Sequence, residues 1–410
     1  MEYYSLHFLR CTNLGLPNLR VLRFDHPSGP FHPIVVLWPL LTPNIITLEV
    51  TLASTSDPKF QSFLDFLPSL CRHLKSIKFD FCDFLSHGRL PLAAAQSLSR
   101  VICSRADWQR FELSCPIDSI TLKHLGMCST LKVFSVTLAP ETTRPDEIYF
   151  GDAETPFRNV TKLDLTLWDG LDLAIVMQFL RAHDQAFHSF RVALSLNTQT
   201  TAMGVSALLR AVASPGRIHS LQSVIVRRPR DTHRGVFVPA SMIQGLSYEM
   251  FRPIASLVHL HELVIDLNHP ISIDDDEFAG LVCNWPCLEV LWMTGTREEH
   301  PAKSITLKGF SSLLVSCPRL REIGMSLDAR RVPSDVYVDV SRSLVSLLTF
   351  QNSPIENPEL VEEFLFQHLS CLPHVQVVFT QNQTSGDIDQ KYERLWGRVN
   401  VCRYRRLESE

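Results

Sequence analysis

The chain repeats one short pattern of hydrophobic and polar positions, which is clearest at residues 317–325. There, Leu320, Ile323 and Met325 fill the first, fourth and sixth positions after a short polar lead. The last two apolar residues are separated by one position, an alternation that predicts a short strand with every second side chain turned inward. The apolar triplet recurs along nearly the whole sequence, at Leu19/Leu22/Phe24, Ile45/Leu48/Val50, Leu74/Ile77/Phe79, Trp108/Phe111/Leu113, Leu131/Phe134/Val136, Val160/Leu163/Leu165, Leu221/Val224/Val226, Leu260/Leu263/Ile265 and Leu288/Leu291/Met293. Two further copies are irregular, Ser189/Val192/Leu194 and Val345/Leu348/Phe350, and a terminal copy at Val375/Val377/Phe379 is degenerate.

The segments between the triplets carry the spacing of amphipathic helices. Apolar residues on one helical face predict helices at residues 60–70, 92–103, 171–180, 205–212 and 360–369. Asp274, followed three residues later by Glu277, predicts a capping box, and Asn357 before Pro358 predicts a helix start. Strands alternate with helices throughout, so the pattern predicts an α/β fold.

The triplets lie on average about 30 residues apart, which predicts a repeat protein built by stacking. We expect an irregular α/β solenoid of about 12–13 units, with a curved parallel sheet on the concave side and helices on the convex side. Stacked units need no second core, so residues 1–383 are predicted to form one solenoid. Residues 384–410 are polar and are predicted to form a C-terminal cap or tail, and residues 139–156 a surface loop.

Composition and charge set only broad limits on function. With 45% hydrophobic residues the chain can bury a continuous core, and its net charge of −4 gives no general attraction to nucleic acid or to anionic membranes. The most apolar run, residues 34–41, is too short to span a membrane and contains Pro39. The N-terminus lacks the basic and apolar regions of a signal peptide. We therefore expect an intracellular protein, cytoplasmic or nuclear.

The sequence contains 11 cysteines, and several of them lie shortly before a strand triplet. These are Cys71, Cys128, Cys287, Cys317 and Cys371. A small buried thiol at the corner between helix and strand explains this set without any chemistry. In a reducing compartment such thiols stay reduced.

No constellation of residues points to catalysis, a metal or a cofactor. Cys283 and Cys287 form at most half of a zinc site, because no second Cys or His pair stands at suitable spacing. The acidic run at residues 274–277 offers carboxylates to a hard cation, but acids at a helix N-terminus are better explained by the helix dipole. None of the common nucleotide-binding or hydrolase motifs occurs. We predict a protein that is not an enzyme and holds no metal or cofactor.

In each strand, the residue between the second and third apolar positions of the triplet is predicted to face away from the helices, on the concave side. In chain order these residues are Arg23, Glu49, Lys78, Glu112, Ser135, Asp164, Ile225, Val264, Trp292 and Gly324. Charged and polar residues occupy the first half, whereas three apolar residues follow one another in the second half. The polar rim around those three consists of Arg227, Glu262 and Asp266. An apolar centre with a polar rim is typical of a protein-binding patch, and Trp292 would be its anchor. A flanking loop that covers these side chains is the alternative.

An arginine-rich stretch at residues 227–234 leaves a second class of function open. Its four arginines could grip the phosphates of a nucleic acid or a phosphoinositide. A charge run in a loop is more often simply solvated, and the overall charge argues against nucleic acid. An anionic ligand predicts affinity that falls steeply with salt, whereas an apolar protein interface predicts little change.

Two phrases carry a resemblance to a known family. Residues 317–325 place a cysteine before Pro-x-Leu-x-x-Ile, and residues 286–293 repeat most of this phrase, which resembles the cysteine-containing leucine-rich repeat. The irregular unit lengths, with residues 16–22 as the first phrase, are similar to the repeat region of fungal F-box/leucine-rich-repeat proteins. The resemblance implies a protein-interaction scaffold that recognises substrates for an F-box-type ubiquitin-ligase adaptor. The implied partners, a Skp-type adaptor and a cullin, require an F-box upstream, because nothing before the first triplet matches one. Without it, the chain would act as a stand-alone scaffold.

Overall fold

The structure is a computed structural model. It describes residues 16, 18–26, 33–52, 58–81, 90–139, 156–167, 176, 180, 187–194, 201–227, 244–267, 269–295, 303–333, 344–351, 353–369, 374–378 and 391–399. The chain forms two compact units, the first made of Met1–Leu171 and Arg181–Phe187 and the second of Asp172–Leu180 and His188–Glu410. This division falls inside the stretch that the sequence assigns to one solenoid.

Among the described residues of the first unit, six parallel strands form the sheet. In chain order they are β1 (Val21–His26), β2 (Thr47–Leu52), β3 (Ser76–Phe81), β4 (Arg110–Pro116), β5 (Val133–Leu138) and β6 (Lys162–Leu167). The helices between them are α1 (Pro33–Leu37), α2 (Pro58–Leu70), α3 (Leu92–Cys103) and α4 (Ser119–Met127). The strand register aligns the second residue of every triplet, so that Leu22, Leu48, Ile77, Phe111, Phe134 and Leu163 are successive partners.

The second unit repeats this plan, with seven parallel strands in the part of it that the structure describes. They are β7 (Ser189–Leu194), β8 (Ser223–Arg227), β10 (Glu262–Asp266), β12 (Val290–Thr294), β13 (Glu322–Met325), β14 (Leu347–Gln351) and β15 (His374–Val378). Two short strands, β9 (Leu246–Ser247) and β11 (Ile271–Ser272), pair separately. The helices are α5 (Ala202–Val212), α6 (Tyr248–Phe251), α7 (Asp275–Val282), α8 (Leu307–Ser316) and α9 (Pro358–His368). A last helix, α10, covers residues 391–399.

Alternate strand residues point toward the helices and form the core. In the first unit, the ring centroid of Phe60 in α2 lies 5.8 Å from that of Phe79 and 5.5 Å from that of Phe81, both in β3. In the second unit, Phe310 of α8 lies 6.1 Å from Phe350 of β14. Each of these side chains is buried, and each contributes about 1.5–3 kcal/mol of hydrophobic free energy. Because strand, core and helix repeat in one direction, the fold is an α/β leucine-rich-repeat solenoid.

One backbone carbonyl per repeat joins neighbouring repeats. It belongs to the residue that follows the first apolar position, and it accepts hydrogen bonds from two consecutive N–H groups of the next repeat. At Glu289, the N–H groups of Arg321 and Glu322 donate at 2.7 and 3.1 Å. The carbonyls of Arg20, Ile46, Lys75, Gln109, Lys132, His188, Gln222, His261 and Arg321 make the same pair of bonds. Since donors and acceptor are all main-chain groups, this stacking requires no particular side chain.

Three of the predicted corner cysteines are confirmed. Cys71, Cys128 and Cys317 are buried free thiols, each at the end of a helix and three residues before a strand triplet. Burial raises the pKa of Cys71 and of Cys128 to about 11 and that of Cys317 to about 12. Because the uncharged thiol is favoured in all three, they act as small apolar core groups rather than as nucleophiles.

The prediction for Cys287 is wrong, because a tryptophan occupies that corner. Cys287 is only half-buried. Trp285, three residues before Leu288, is fully buried and accepts the Leu288 N–H at its carbonyl, as Cys317 does for Leu320. Its indole N–H donates to the Ile254 carbonyl at 3.1 Å. Cys371 lies outside the described residues.

The structure confirms most of the predicted helices and corrects one strand. Helices α2, α3, α5 and α9 cover the predicted segments 60–70, 92–103, 205–212 and 360–369. In β7 the register pairs Phe190 with Val224. The triplet there is therefore Phe187, Phe190 and Val192, two residues earlier than the predicted Ser189, Val192 and Leu194. The predicted loop at 139–156 and the predicted helix at 171–180 lie mostly outside the described residues.

The polar C-terminal segment contains a helix that packs on the last repeats. Trp396 of α10 is fully buried, with its ring centroid 4.7 Å from that of Phe350, and its indole N–H donates to the Ser353 carbonyl at 2.8 Å. Within the described part of the chain, no helix is long and apolar enough to cross a membrane.

The acidic run at residues 274–277 caps two helices. Asp274 accepts the Glu277 N–H at 2.9 Å and the Glu277 carboxylate accepts the Asp274 N–H at 3.1 Å, which confirms the predicted capping box. Asp275 crosses to the next repeat, where its carboxylate accepts the N–H groups of Thr306 and Gly309 at 2.7 and 3.0 Å and the Thr306 hydroxyl at 2.6 Å. These bonds satisfy donors that the first turn of α8 leaves open, so the carboxylates serve helix capping.

Replacing Asp275 by alanine should lower the free energy of unfolding by about 1–2 kcal/mol, because the start of α8 loses its acceptor. Asp276→Ala is the matched control, since the Asp276 side chain is 91% exposed and pairs only with Lys308 at the surface. It should change the free energy of unfolding by less than about 0.5 kcal/mol. Urea unfolding measures both variants, and equal losses would contradict the cross-repeat cap.

Candidate protein-binding face

Each unit has a sheet face opposite its helices, which we call the open face. Its central row contains, from each strand, the residue between the second and third apolar positions of the triplet. The register makes neighbours in this row direct partners on adjacent strands of one unit. In the first unit the row is Arg23, Glu49, Lys78, Glu112, Ser135 and Asp164. In the second unit it is Arg191, Ile225, Val264, Trp292, Gly324, Thr349 and Gln376.

The open face of the first unit is a network of paired charges. Arg23 Nε lies 2.8 Å from Glu49 Oε2, and Arg110 Nη1 lies 3.6 Å from Glu49 Oε1. Arg110 Nε also donates to Glu112 Oε1 at 2.5 Å, and this hydrogen bond raises the pKa of Arg110. Because these acids and bases neutralise one another, this face carries little uncompensated charge for a partner.

The open face of the second unit has an apolar centre. Ile225, Val264 and Trp292 are direct neighbours on β8, β10 and β12, so the structure brings the three predicted residues together. Val264 and Trp292 are half-buried. Ile225 is only 4% exposed, which leaves it unavailable as an exposed anchor. The accessible apolar surface therefore begins at Val264.

Trp292 lies flat against the next strand because its neighbour there is a glycine. A Cβ atom on Gly324 of β13 would stand 2.4 Å from Cε3 and 2.5 Å from Cδ2 of the Trp292 indole. Such contacts are far below van der Waals separation, so only glycine permits this position of the ring. The indole is thus held against the sheet rather than extended into solvent, and it is ordered before any partner arrives.

The predicted rim residues lie on the same three strands. Asp266 accepts the Thr294 hydroxyl at 2.7 Å, and Glu262 accepts the Ser223 hydroxyl at 2.6 Å. Arg227 is the register partner of Asp266, and all three rim side chains are half-buried. The hydroxyls are neutral and leave the charge of both carboxylates in place, so the rim of one arginine and two carboxylates carries a net negative charge.

Other candidate chemistry from the sequence finds no support among the described residues. No group of three or more His, Cys, Asp or Glu residues there could hold a metal ion. Cys283 is exposed and its thiol lies 3.4 Å from the Gly280 carbonyl. Residues 228–234 of the arginine-rich stretch lie outside the described residues.

Four residues of this face escaped the sequence analysis. Val290, Glu322 and Leu347 stand two positions before the central row on β12, β13 and β14, and all three are half-buried. Extending the strand alternation by one step would have found them. Arg191 was missed because the triplet in β7 was placed two residues late.

No protein-family model matches the chain, and no curated protein matches it. Among solved structures, a crystal structure of the Rad7 and Elc1 complex from yeast is similar, with 11% sequence identity over 86% of this chain and 85% of that chain and a TM-score of 0.46. The leucine-rich repeat-containing protein LegL7 from Legionella pneumophila shares 11% identity over 74% of this chain and 90% of that chain, with a TM-score of 0.35. Similarities this weak carry no information on function.

Replacing Gly324 by alanine should displace the Trp292 ring and lower the free energy of unfolding by about 1–3 kcal/mol, as overpacking does. Gly280→Ala in α7 is the matched control, because a Cβ there would meet only Tyr248 Oη, at 4.0 Å. That change should raise the free energy of unfolding by up to about 1 kcal/mol, since alanine favours a helix over glycine. Thermal unfolding measures both variants. A lower stability of Gly324→Ala with a higher stability of Gly280→Ala supports the packing of Trp292 on Gly324, and no change in either variant would contradict it.

Proposed function

We propose that this chain is a non-catalytic scaffold that binds a protein partner through the open face of its second unit. The observation that carries the proposal is the half-buried apolar pair Val264 and Trp292 beside the carboxylates of Glu262 and Asp266. Interfaces combine an apolar core with a polar rim, and tryptophan is among the residues that contribute most to binding energy. The Trp292 indole is already fixed on Gly324, so binding need not order it.

The first unit supports the proposal by contrast. It has the same fold and the same strand register, but the centre of its open face is charged, and Glu49 and Glu112 there pair with Arg23 and Arg110. Fold alone therefore does not produce an apolar open face. The difference lies in residues that the backbone stacking leaves free to vary, which is where a binding function is encoded.

A more specific form of the proposal follows from the cysteine-containing repeat phrase at residues 317–325. In this form the chain is the substrate-recognition part of an F-box-type ubiquitin-ligase adaptor in the cytoplasm or nucleus. Its partners are then a substrate on the open face of the second unit, and a Skp-type adaptor and a cullin through an F-box. The less specific form is a stand-alone scaffold with the same binding face.

Val264→Arg should abolish capture of the partner on this face, because it places a bulky charge in the apolar centre. Trp292→Ala is less suitable, since it would also uncover Gly324 and disturb the fold. The matched control is Ser135→Arg, at the equivalent half-buried position of the first unit. Tagged full-length variants expressed in the source cells, followed by quantitative mass spectrometry, measure capture. Thermal unfolding confirms that both variants fold.

The outcomes separate the forms of the proposal. Loss of one set of proteins in Val264→Arg alone, with a Skp-type adaptor and a cullin retained in all samples, supports the ligase adaptor. Loss of that set with no adaptor or cullin in any sample supports a stand-alone scaffold. If Val264→Arg captures the same proteins as the unaltered chain, the proposed binding face is contradicted. If that capture also falls steeply with salt, it favours an anionic ligand at residues 227–234.

A further inference from the structure

A second row on the open face of the second unit alternates acidic and apolar residues. It runs beside the central row, two positions earlier on each strand, and we call it the acidic–apolar row. Its members are Glu262 on β10, Val290 on β12, Glu322 on β13 and Leu347 on β14. The register makes each the direct partner of the next. All four are half-buried, so carboxylates and apolar side chains share one accessible strip.

Within the described part of the chain, the two glutamates in this row have no cation beside them. Among the described residues, neither Glu262 nor Glu322 has a Lys, Arg or His nitrogen within 4.0 Å, whereas Glu49 and Glu112 on the first unit's open face are held by arginines. Glu262 accepts a hydrogen bond from a neutral hydroxyl, that of Ser223. Two partly desolvated carboxylates on one strip therefore keep their charge available to an approaching cation.

We propose that the partner presents a basic and apolar segment to this face. Lysine or arginine side chains pair with Glu262 and Glu322, and an aliphatic or aromatic side chain between them packs on Val264, Val290 and Trp292. This inference rests on the proposed function, because it names the chemistry of the partner for that same face. A cation close to the Trp292 indole would gain a further favourable interaction with the ring.

The spacing of the carboxylates suits such a segment. Glu262 and Glu322 lie on β10 and β13, which are separated by one strand, β12. At about 4.8 Å between strands, the two positions are about 10 Å apart. An extended chain advances about 3.3 Å per residue, so basic residues two or three positions apart, with long flexible side chains, reach both carboxylates. The residue between them then lies over Val290.

Charge also excludes other classes of partner from this strip. An acidic protein segment or the phosphates of a nucleic acid would meet Glu262 and Glu322 without a compensating cation from this row. A purely apolar segment would cover the two glutamates and leave them desolvated and unpaired, which is costly. A basic and apolar segment satisfies both the carboxylates and the apolar residues.

The test uses a phage-displayed library of random dodecapeptides, selected on the immobilised full chain and counter-selected on Val264→Arg. Enrichment of lysine and arginine next to aliphatic or aromatic residues is expected. An enriched peptide, made synthetically, should bind the double variant Glu262→Lys and Glu322→Lys about tenfold or more weakly in fluorescence anisotropy. A fresh selection on that variant should favour aspartate and glutamate instead.

The matched control reverses two exposed carboxylates on helices, Asp276→Lys and Glu363→Lys, which changes the net charge equally. It should bind the peptide as the unaltered chain does. Peptides that depend on Val264 but show no basic enrichment would overturn this inference and leave the proposed function intact. If both double variants bind the peptide equally weakly, the inference is also overturned, because the loss would then come from long-range charge alone. A selection with nothing dependent on Val264 would overturn both.

Discussion

The backbone carbonyl that accepts two N–H groups from the next repeat is the constraint on which the rest of the structure depends. It recurs from Arg20 to Arg321 with nearly constant geometry, and it fixes the parallel register that aligns the buried triplets. Because only main-chain atoms take part, the register is independent of the side chains on the open face. Repeats can therefore differ in length and in surface chemistry while the core stays aligned, as expected of a solenoid in which each repeat contacts its neighbours.

That freedom explains how one architecture presents two different surfaces. In the first unit, Glu49 of the central row lies between Arg23 of that row and Arg110, which stands two positions before the row on β4. In the second unit the centre of the row is apolar, and the carboxylates beside it accept hydrogen bonds from the neutral hydroxyls of Ser223 and Thr294. The side chains facing the helices are apolar in both units because they must fill a close-packed core. Binding specificity is thus confined to the positions that the core does not constrain.

Sequence periodicity predicted the features that depend on local spacing, and it missed those that depend on contacts between repeats. Most of the apolar triplets, the capping box at Asp274 and the helix start at Asn357 are local and were predicted correctly. In β7, Phe190, Val192 and Leu194 are all apolar and alternate, so spacing alone could not choose the frame. Contacts between repeats cannot be read from a single sequence. They include the packing of Trp292 on Gly324, the cap that Asp275 provides to the next helix and the burial of Ile225. The charge of the carboxylates was visible, but whether a cation stood beside them was not.

The central claim is that the open face of the second unit binds a protein. Site-specific photo-crosslinking in the source cells tests this claim most directly. The photoreactive amino acid benzoylphenylalanine would replace Val264 in one sample and Ser135, the equivalent position of the first unit, in another. The account predicts a discrete light-dependent protein adduct at position 264 and none at position 135. No adduct at position 264, or the same adducts at both positions, would contradict it.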